Sequence, residues 1–280
     1  MQVSIATESA RTDRANEDFV GVVPGAAVLL DGAGSAGADS GCRHGVAWYS
    51  HQLGAQLLAN LLTSPHDDLR SVLRSSISAV ADMHKDECDL NHPGTPSATV
   101  LIARIGNHEI DYLALADSVL LLQSSSHIEV VTDAREDDFA RIYRRDMDAI
   151  PNGSEEHALA LKRFIEQMRN HRNRSNGFWV ASANPDAADE SIVGRAEVRQ
   201  IRALALLSDG ATRLVDRFGL LDWNGLLSLL DQEGPEELIR RTRQAEQSDE
   251  DGQRWPRGKA FDDAAAAYVR LNAAAGSARK

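Results

Sequence analysis

The sequence predicts an α+β fold in which antiparallel sheets are covered by helices. Three observations carry this. Short runs rich in Val, Ile and Leu fall in clusters joined by tight turns, and two long segments of helical spacing stand between two such clusters. The regular strand-helix alternation that demands a parallel sheet is missing.

Residues 3–6 read as a first strand, and the polar stretch 7–18, with Arg11, Arg14, Asn16, Glu17 and Asp18, reads as a loop. Residues 19–23 and 26–30 read as two antiparallel strands turned at Pro24-Gly25, which sets Glu17 and Asp18 beside Asp31. The second strand has no polar residue, so both its faces are expected to be buried. It ends in Asp31 and then in Gly32-Ala33-Gly34-Ser35-Ala36-Gly37. Apolar residues at helical spacing predict helices over 42–62 and 69–83, separated at Ser64-Pro65. Residues 98–105, 109–116, 119–123 and 128–132 then predict a β-meander. A polar, helix-prone insert covers about 135–177, interrupted at Pro151-Asn152-Gly153. Residues 178–181 and 202–207 return to strand, 214–218, 223–230 and 236–246 to helix, and 264–271 to a final strand. One domain, 1–272, with a disordered tail at 273–280, is the expected organisation.

A chain of 280 residues buries an ample core without disulfides. Its two cysteines, Cys42 and Cys88, form no short-spaced motif and stand in no visible cluster of Cys and His, so a reducing, cytoplasmic setting is expected. No segment reads as a signal peptide or as a membrane span. The net charge of -12 speaks against nucleic acid as a partner. The nine histidines carry no ligand spacing. His44, His51, His84, His92 and His171 are read as surface or satisfied residues.

The glycine stretch matches G-x-G-x-x-G, but no Asp or Glu lies between Asp39 and Asp67 to take a ribose hydroxyl, which argues against a dinucleotide. Ala33 stands where an aspartyl-phosphate enzyme needs its second Asp. The acidic strand ends fit better when taken together. Asp31, Asp209 and Asp262 each stand at the edge of an apolar run, with Glu17-Asp18 at the start of another. Carboxylates gathered in one place repel unless cations hold them, and an all-oxygen set favours Mg²⁺ or Mn²⁺ over zinc.

Asn16-Glu17-Asp18, Asp31-Gly32-Ala33-Gly34, Ser97-Ala98-Thr99-Val100, Leu115-Ala116-Asp117-Ser118, Leu207-Ser208-Asp209-Gly210 and Asp262-Asp263-Ala264 follow one another along the chain. In content and order they resemble the motifs of the metal-dependent serine/threonine phosphatases of the protein phosphatase 2C type. The resemblance implies a four-layer α-β-β-α sandwich and a phosphatase acting on phosphoserine and phosphothreonine of a phosphoprotein substrate. It implies that Asp31 bridges two Mg²⁺ or Mn²⁺ ions, that Gly32 offers its carbonyl, that Glu17 holds one ion through its shell, and that Asp209 and Asp262 hold the other. A water shared by the ions is then the nucleophile. Asp18 is implied to orient these groups from behind, and Asp117 either to serve a third ion or to shape a turn.

The sequence departs from the pattern at several positions. Asp13 stands where the family's phosphate-binding arginine is usual, so Arg14, one residue on, takes that role, with Arg11 as the alternative. Ala33 replaces a His that some relatives use to protonate the leaving group, Ala116 replaces a Gly, and Ala265 replaces a Thr. The resemblance places a flap at the insert, where Arg169, Arg172 and Arg174 are suited to a phosphopeptide or simply to solvent. A non-catalytic module of the same fold, binding metal or phosphoprotein, is the alternative reading.

Overall fold

The computed structural model describes residues 1–34 and 39–271. Gly37 and the tail at 273–280 lie outside the described residues.

Two five-stranded antiparallel sheets form the centre. The first has the order β1 (Gln2–Glu8), β12 (Ala264–Arg270), β11 (Ile201–Leu207), β8 (Val119–Ser124), β9 (Ile128–Val131). The second has the order β10 (Ile192–Glu197), β7 (Glu109–Leu115), β6 (Val100–Ile105), β3 (Ala26–Leu30), β2 (Phe19–Val23). A short ladder pairs β4 (Gly32–Ala33) with β5 (Ser97–Ala98). Every residue of β3 is buried, because its alternate side chains serve two different cores. Ala27 and Leu29 face the other sheet, meeting Leu204, Leu206, Ala265 and Ala267. Val28 and Leu30 face outward against α1 (Gly45–Thr63) and α2 (Leu69–His84), through Leu53, Leu57, Leu73 and Ile77. The outer face of the first sheet is covered in the same way by α6 (Asp209–Asp216), α7 (Trp223–Gln232) and α8 (Pro235–Gln247), through Leu214, Leu226, Leu230 and Leu238. The result is a four-layer α-β-β-α sandwich. Each fully buried Leu or Ile contributes about 1.5–3 kcal/mol to holding the layers together.

Local signals set the helix ends. Asp68 caps α2 by accepting from the Ser71 amide, and Asp222 caps α7 through the Gly225 amide. Gly234, at φ +88°, and Pro235 open α8. The insert between β9 and β10 forms α3 (Arg135–Tyr143), α4 (Arg145–Asp148) and α5 (Glu155–His171), closed by a small cluster of Ala116, Ala140, Met168, Phe178 and Val180.

Three local expectations are corrected. Residues 178–181 make only two isolated bridges, Phe178 with Arg172 at the end of α5 and Ala181 with Ala98 of the two-residue strand β5, which is too short to extend a ladder. The edge strand β10 escapes the sequence pattern, because Ile192 and Val193 are both exposed at the sheet margin. The helix expected from residue 214 starts five residues earlier, at Asp209. Among the described residues no helix is long and apolar enough to cross a membrane.

Candidate active site

The carboxylates singled out in the sequence sit at one end of the sandwich. Asp31 follows β3, Asp18 precedes β2, Asp117 lies between β7 and β8, Asp209 follows β11, and Asp262 precedes β12. Antiparallel pairing brings them together: Phe19 lies opposite Leu30, and Leu207 lies between Val119 and Ala266.

Backbone contacts fix the spacing. The Asp31 amide donates to Thr99 Oγ1 at 3.0 Å, and that hydroxyl shares a 2.6 Å hydrogen bond with Ser118 Oγ. The Asp209 amide donates to Asp31 Oδ2 at 3.1 Å, so the Asp31 carboxylate meets the first turn of α6, where the helix dipole favours an anion. Ser208 extends the β11-β12 ladder, its amide donating to the Ala265 carbonyl at 3.0 Å and its Oγ accepting from the Ala265 amide at 2.8 Å. Two glycines are required by close approach. A Cβ at Gly32 would stand 2.4 Å from the Glu17 carbonyl oxygen, and one at Gly210 would stand 1.9 Å from that of Asp263. Ala116 holds φ +68°, a left-handed conformation that costs a non-glycine residue about 1 kcal/mol.

The charges show how crowded this end is. Burial pushes the Asp31 carboxyl well above the ordinary carboxylate range, and Asp18, Asp209, Asp262 and Asp117 push it further. Burial likewise raises Asp18, with Asp209, Asp262 and Asp263 adding to it, and raises Asp117, with Glu136 and Asp209 adding to it. Asp18 is 2 % exposed, and among the described residues its Oδ2 has no hydrogen-bond partner. Desolvation and the Asp262 carboxylate raise Asp209, although its side chain reaches solvent, while Arg213 and Lys259 offset them. Glu17 is raised by burial and by Asp263 and Asp262, with Lys259 and Arg14 opposing.

Asp262 differs from the others. Burial works against its charge, but the Lys259 ammonium and the Arg213 guanidinium outweigh burial and hold it below the usual range. Lys259 Nζ lies 2.7 Å from Oδ1 and Arg213 Nη2 lies 2.8 Å from Oδ2. Behind it, the fully buried Glu246 ties Arg213 to Arg243. Among the described residues, no three carboxylates of this end bring donor oxygens within 4.8 Å of one another.

The donor set still fits hard divalent cations. It is all oxygen, its members raise one another's pKa, and one buried carboxylate oxygen lacks a partner. The residues that would hold the cations are Asp31, Asp209, the Gly32 carbonyl and Glu17, with Asp262 joining once Lys259, whose side chain is 53 % exposed, swings aside.

The arginines are placed unequally. Arg14 lies near enough to Glu17 to favour its charge, whereas Arg11 is paired with Asp13 at 3.0 Å. Arg172 turns inward, donating to the Thr95 carbonyl at 3.2 Å and facing Glu136. Arg174 is exposed, and Nε and Nη2 of Arg169 are buried without a partner among the described residues.

Several residues were missed by the sequence reading. Asp263 accepts from the amides of Ala10 at 2.6 Å and Glu17 at 2.7 Å, and so fixes the loop that carries Arg14 and Glu17. Lys259 stands three residues before its partner Asp262, whereas Arg213 is 49 residues from it. Glu136, in the acidic first turn of α3, reaches the Asp117 side of the site. Its carboxyl is pushed up to about 7 by burial, with Asp209 adding to it and Arg172 opposing. Asp263 lay inside a recognised motif and Lys259 three residues before it, and that adjacency was the available signal. For the rest there was none.

Comparison with known proteins agrees with this architecture. The sequence profile of the family described as protein phosphatase 2C matches residues 6–239. Among solved structures, the serine/threonine phosphatase Stp1 from Staphylococcus aureus is similar at a TM-score of 0.59 and 16% identity, covering 97% of this chain and 95% of that one. The catalytic domain of the serine threonine protein phosphatase PstP, in complex with two manganese ions, is similar at 0.57 and 16%, covering 96% and 97%. A phosphatase described as MsPP from Mycobacterium smegmatis, in complex with cacodylate, is similar at 0.56 and 15%, covering 97% and 99%. Among curated protein sequences none matches the chain.

Proposed function

The chain belongs to the protein phosphatase 2C family, and from that premise we propose that it is a Mg²⁺- or Mn²⁺-dependent hydrolase of phosphoserine and phosphothreonine on cytoplasmic phosphoproteins. The observation that carries the reading is that Asp18, Asp31, Asp117 and Asp209 lie at one end of the sandwich and that burial and neighbouring carboxylates raise each of their carboxyls. Divalent cations held there would supply Lewis acidity and a water of lowered pKa as the nucleophile. The remaining work falls to the protein. Asp31, Asp209, Asp262 and the Gly32 carbonyl anchor the cations, and Glu17 reaches them from its loop. Asp18 orients those ligands from below, and Asp117 serves a third cation. Arg14 pairs with the phosphoryl oxygens, its charge matching the charge that spreads over them as the leaving oxygen departs. Arg172 steadies the insert over the substrate through Glu136 and Thr95. With Ala33 in place of a histidine, the leaving alkoxide takes its proton from solvent.

One observation favours a second reading. Both Asp262 oxygens are held by cationic side chains, as suits a module that binds phosphoprotein without hydrolysing it. Turnover of p-nitrophenyl phosphate and of a phosphothreonine peptide, measured beside calorimetric titration with Mn²⁺, separates the two. Hydrolysis that requires Mn²⁺, stops in EDTA and is lost in Asp31→Asn supports the enzyme. Binding of Mn²⁺ without any turnover selects the module.

A further inference from the structure

A second donor cluster lies apart from the carboxylates. Cys42, in the turn before α1, and Cys88, in the turn after α2, are the only two cysteines of the chain, and the fold brings them together around His44. The sulfurs are 3.4 Å apart, His44 Nδ1 is 3.4 Å from Cys88 Sγ and 3.8 Å from Cys42 Sγ, and the three donor atoms fall within 4.8 Å of one another. This corrects the sequence reading that set the cysteines apart from any histidine: 46 residues separate the two sulfur ligands, too far for a spacing motif to show.

We propose that Cys42, Cys88 and His44 form a zinc site, with the fourth tetrahedral position left to water. The geometry suits that ion. Ligands at about 2.3 Å for sulfur and about 2.1 Å for nitrogen, tetrahedrally disposed, stand about 3.8 Å apart as sulfur pairs and about 3.6 Å apart as sulfur and nitrogen, close to the edges found here. Two thiolates and an imidazole form a soft set that selects zinc over Mg²⁺ or Mn²⁺, so the two sites sort their metals by ligand chemistry.

One further feature supports the site. His44 turns Nδ1 to the sulfurs and Nε2 to Glu87 Oε2 at 3.5 Å, the carboxylate-histidine arrangement that fixes the tautomer of a metal-bound imidazole. Burial and the neighbouring Cys88 push the Cys42 thiol up, with the backbone amides of His44 and Gly45 opposing, so the bound ion itself has to draw off the proton. Binding displaces the two thiol protons to solvent and joins the segment leading into α1 to the end of α2, where the Asp89 amide already donates to the Gly41 carbonyl at 2.9 Å.

The test uses Co²⁺ as a spectroscopic substitute in the full-length protein, purified under reducing conditions. Sulfur-to-cobalt charge-transfer absorption with intense tetrahedral d-d bands is expected in the wild type and absent in Cys42→Ser and Cys88→Ser. Glu87→Gln, at an exposed position, keeps the spectrum and weakens zinc affinity by about 10- to 100-fold. In the wild type, zinc is expected to shield both thiols from a thiol reagent. The proposal is overturned by a cobalt spectrum without the thiolate band, by thiols equally reactive with and without zinc, or by a Cys42-Cys88 disulfide that forms in preference to metal binding. None of these readouts depends on phosphatase activity.

Discussion

Gly210→Ala forces the strand ends that carry Asp209 and Asp262 apart without changing any charge. The added methyl would stand 1.9 Å from the Asp263 carbonyl oxygen, and Cβ contacts under 3.0 Å are essentially never found, so one of the two segments must move by about 1.1 Å. The blocking atom is backbone, held in place by the Ser208-Ala265 hydrogen bonds and by the contacts of Asp263 with Ala10 and Glu17, and it cannot swing aside. Overpacking of this kind costs about 1–3 kcal/mol of stability. A displacement of about 1 Å in a catalytic constellation costs about 100-fold in rate. Urea unfolding, calorimetric Mn²⁺ affinity and kcat/KM on p-nitrophenyl phosphate measure these effects. Gly225→Ala in α7 serves as the comparison, since its nearest contact is 3.3 Å, and it is expected to stay within about 1 kcal/mol of the parent with unchanged turnover. Wild-type stability, Mn²⁺ affinity and turnover in Gly210→Ala would refute the reasoning.

Three further outcomes are expected. Asp18→Asn removes a buried carboxyl whose Oδ2 has no partner among the described residues: the metal-free protein in EDTA at pH 7 should gain about 1 kcal/mol, or about 2–4 °C in Tm, while the rise in Tm caused by Mn²⁺ shrinks; a lower Tm in EDTA contradicts the role given to that carboxylate. Glu136 is pushed from an ordinary 4.5 up to about 7, so the folded state holds its proton more tightly than the unfolded state. The penalty is absent below about pH 4.5, grows through the window up to about pH 7 and is complete above it. At 1.36 kcal/mol per unit the ceiling is about 3.4 kcal/mol, and sharing with neighbouring carboxylates reduces it to about 1–3 kcal/mol. Glu136→Gln should therefore stabilise the protein at pH 8 and much less at pH 5, and equal gains at both pH values count against it. Glu246→Ala leaves Arg213 and Arg243 buried without their shared carboxylate and should lose about 3–5 kcal/mol in urea unfolding; a loss below about 1 kcal/mol means the network is dispensable.

Most of the architecture was legible in the sequence, since burial on both faces leaves a period that needs no partner to be recognised. Ala26–Leu30 shows it as an unbroken apolar run, and α2 shows it as Val72, Leu73, Ile77 and Val80. What escaped was structure whose side chains bear no pattern. Strand β10 is exposed at an edge, and residues 178–181 look like a strand but make only two isolated bridges, to a helix end and to the two-residue strand β5.

By itself the sequence determined antiparallel strands covered by helices, because hydrophobic period and turn chemistry are local properties, and the order of its acidic motifs carried the resemblance that implied the two-sheet sandwich. Only the tertiary structure decided which groups share an environment. It drew Lys259 and Arg213 onto Asp262, brought Glu136 from the insert toward Asp117 and Asp209, and gathered Cys42, His44 and Cys88 from two turns 46 residues apart. Apart from Lys259, which is three residues from Asp262, these groups are remote from one another in the chain, and the distances of a few ångströms on which charge coupling and metal ligation depend exist only after the layers have packed.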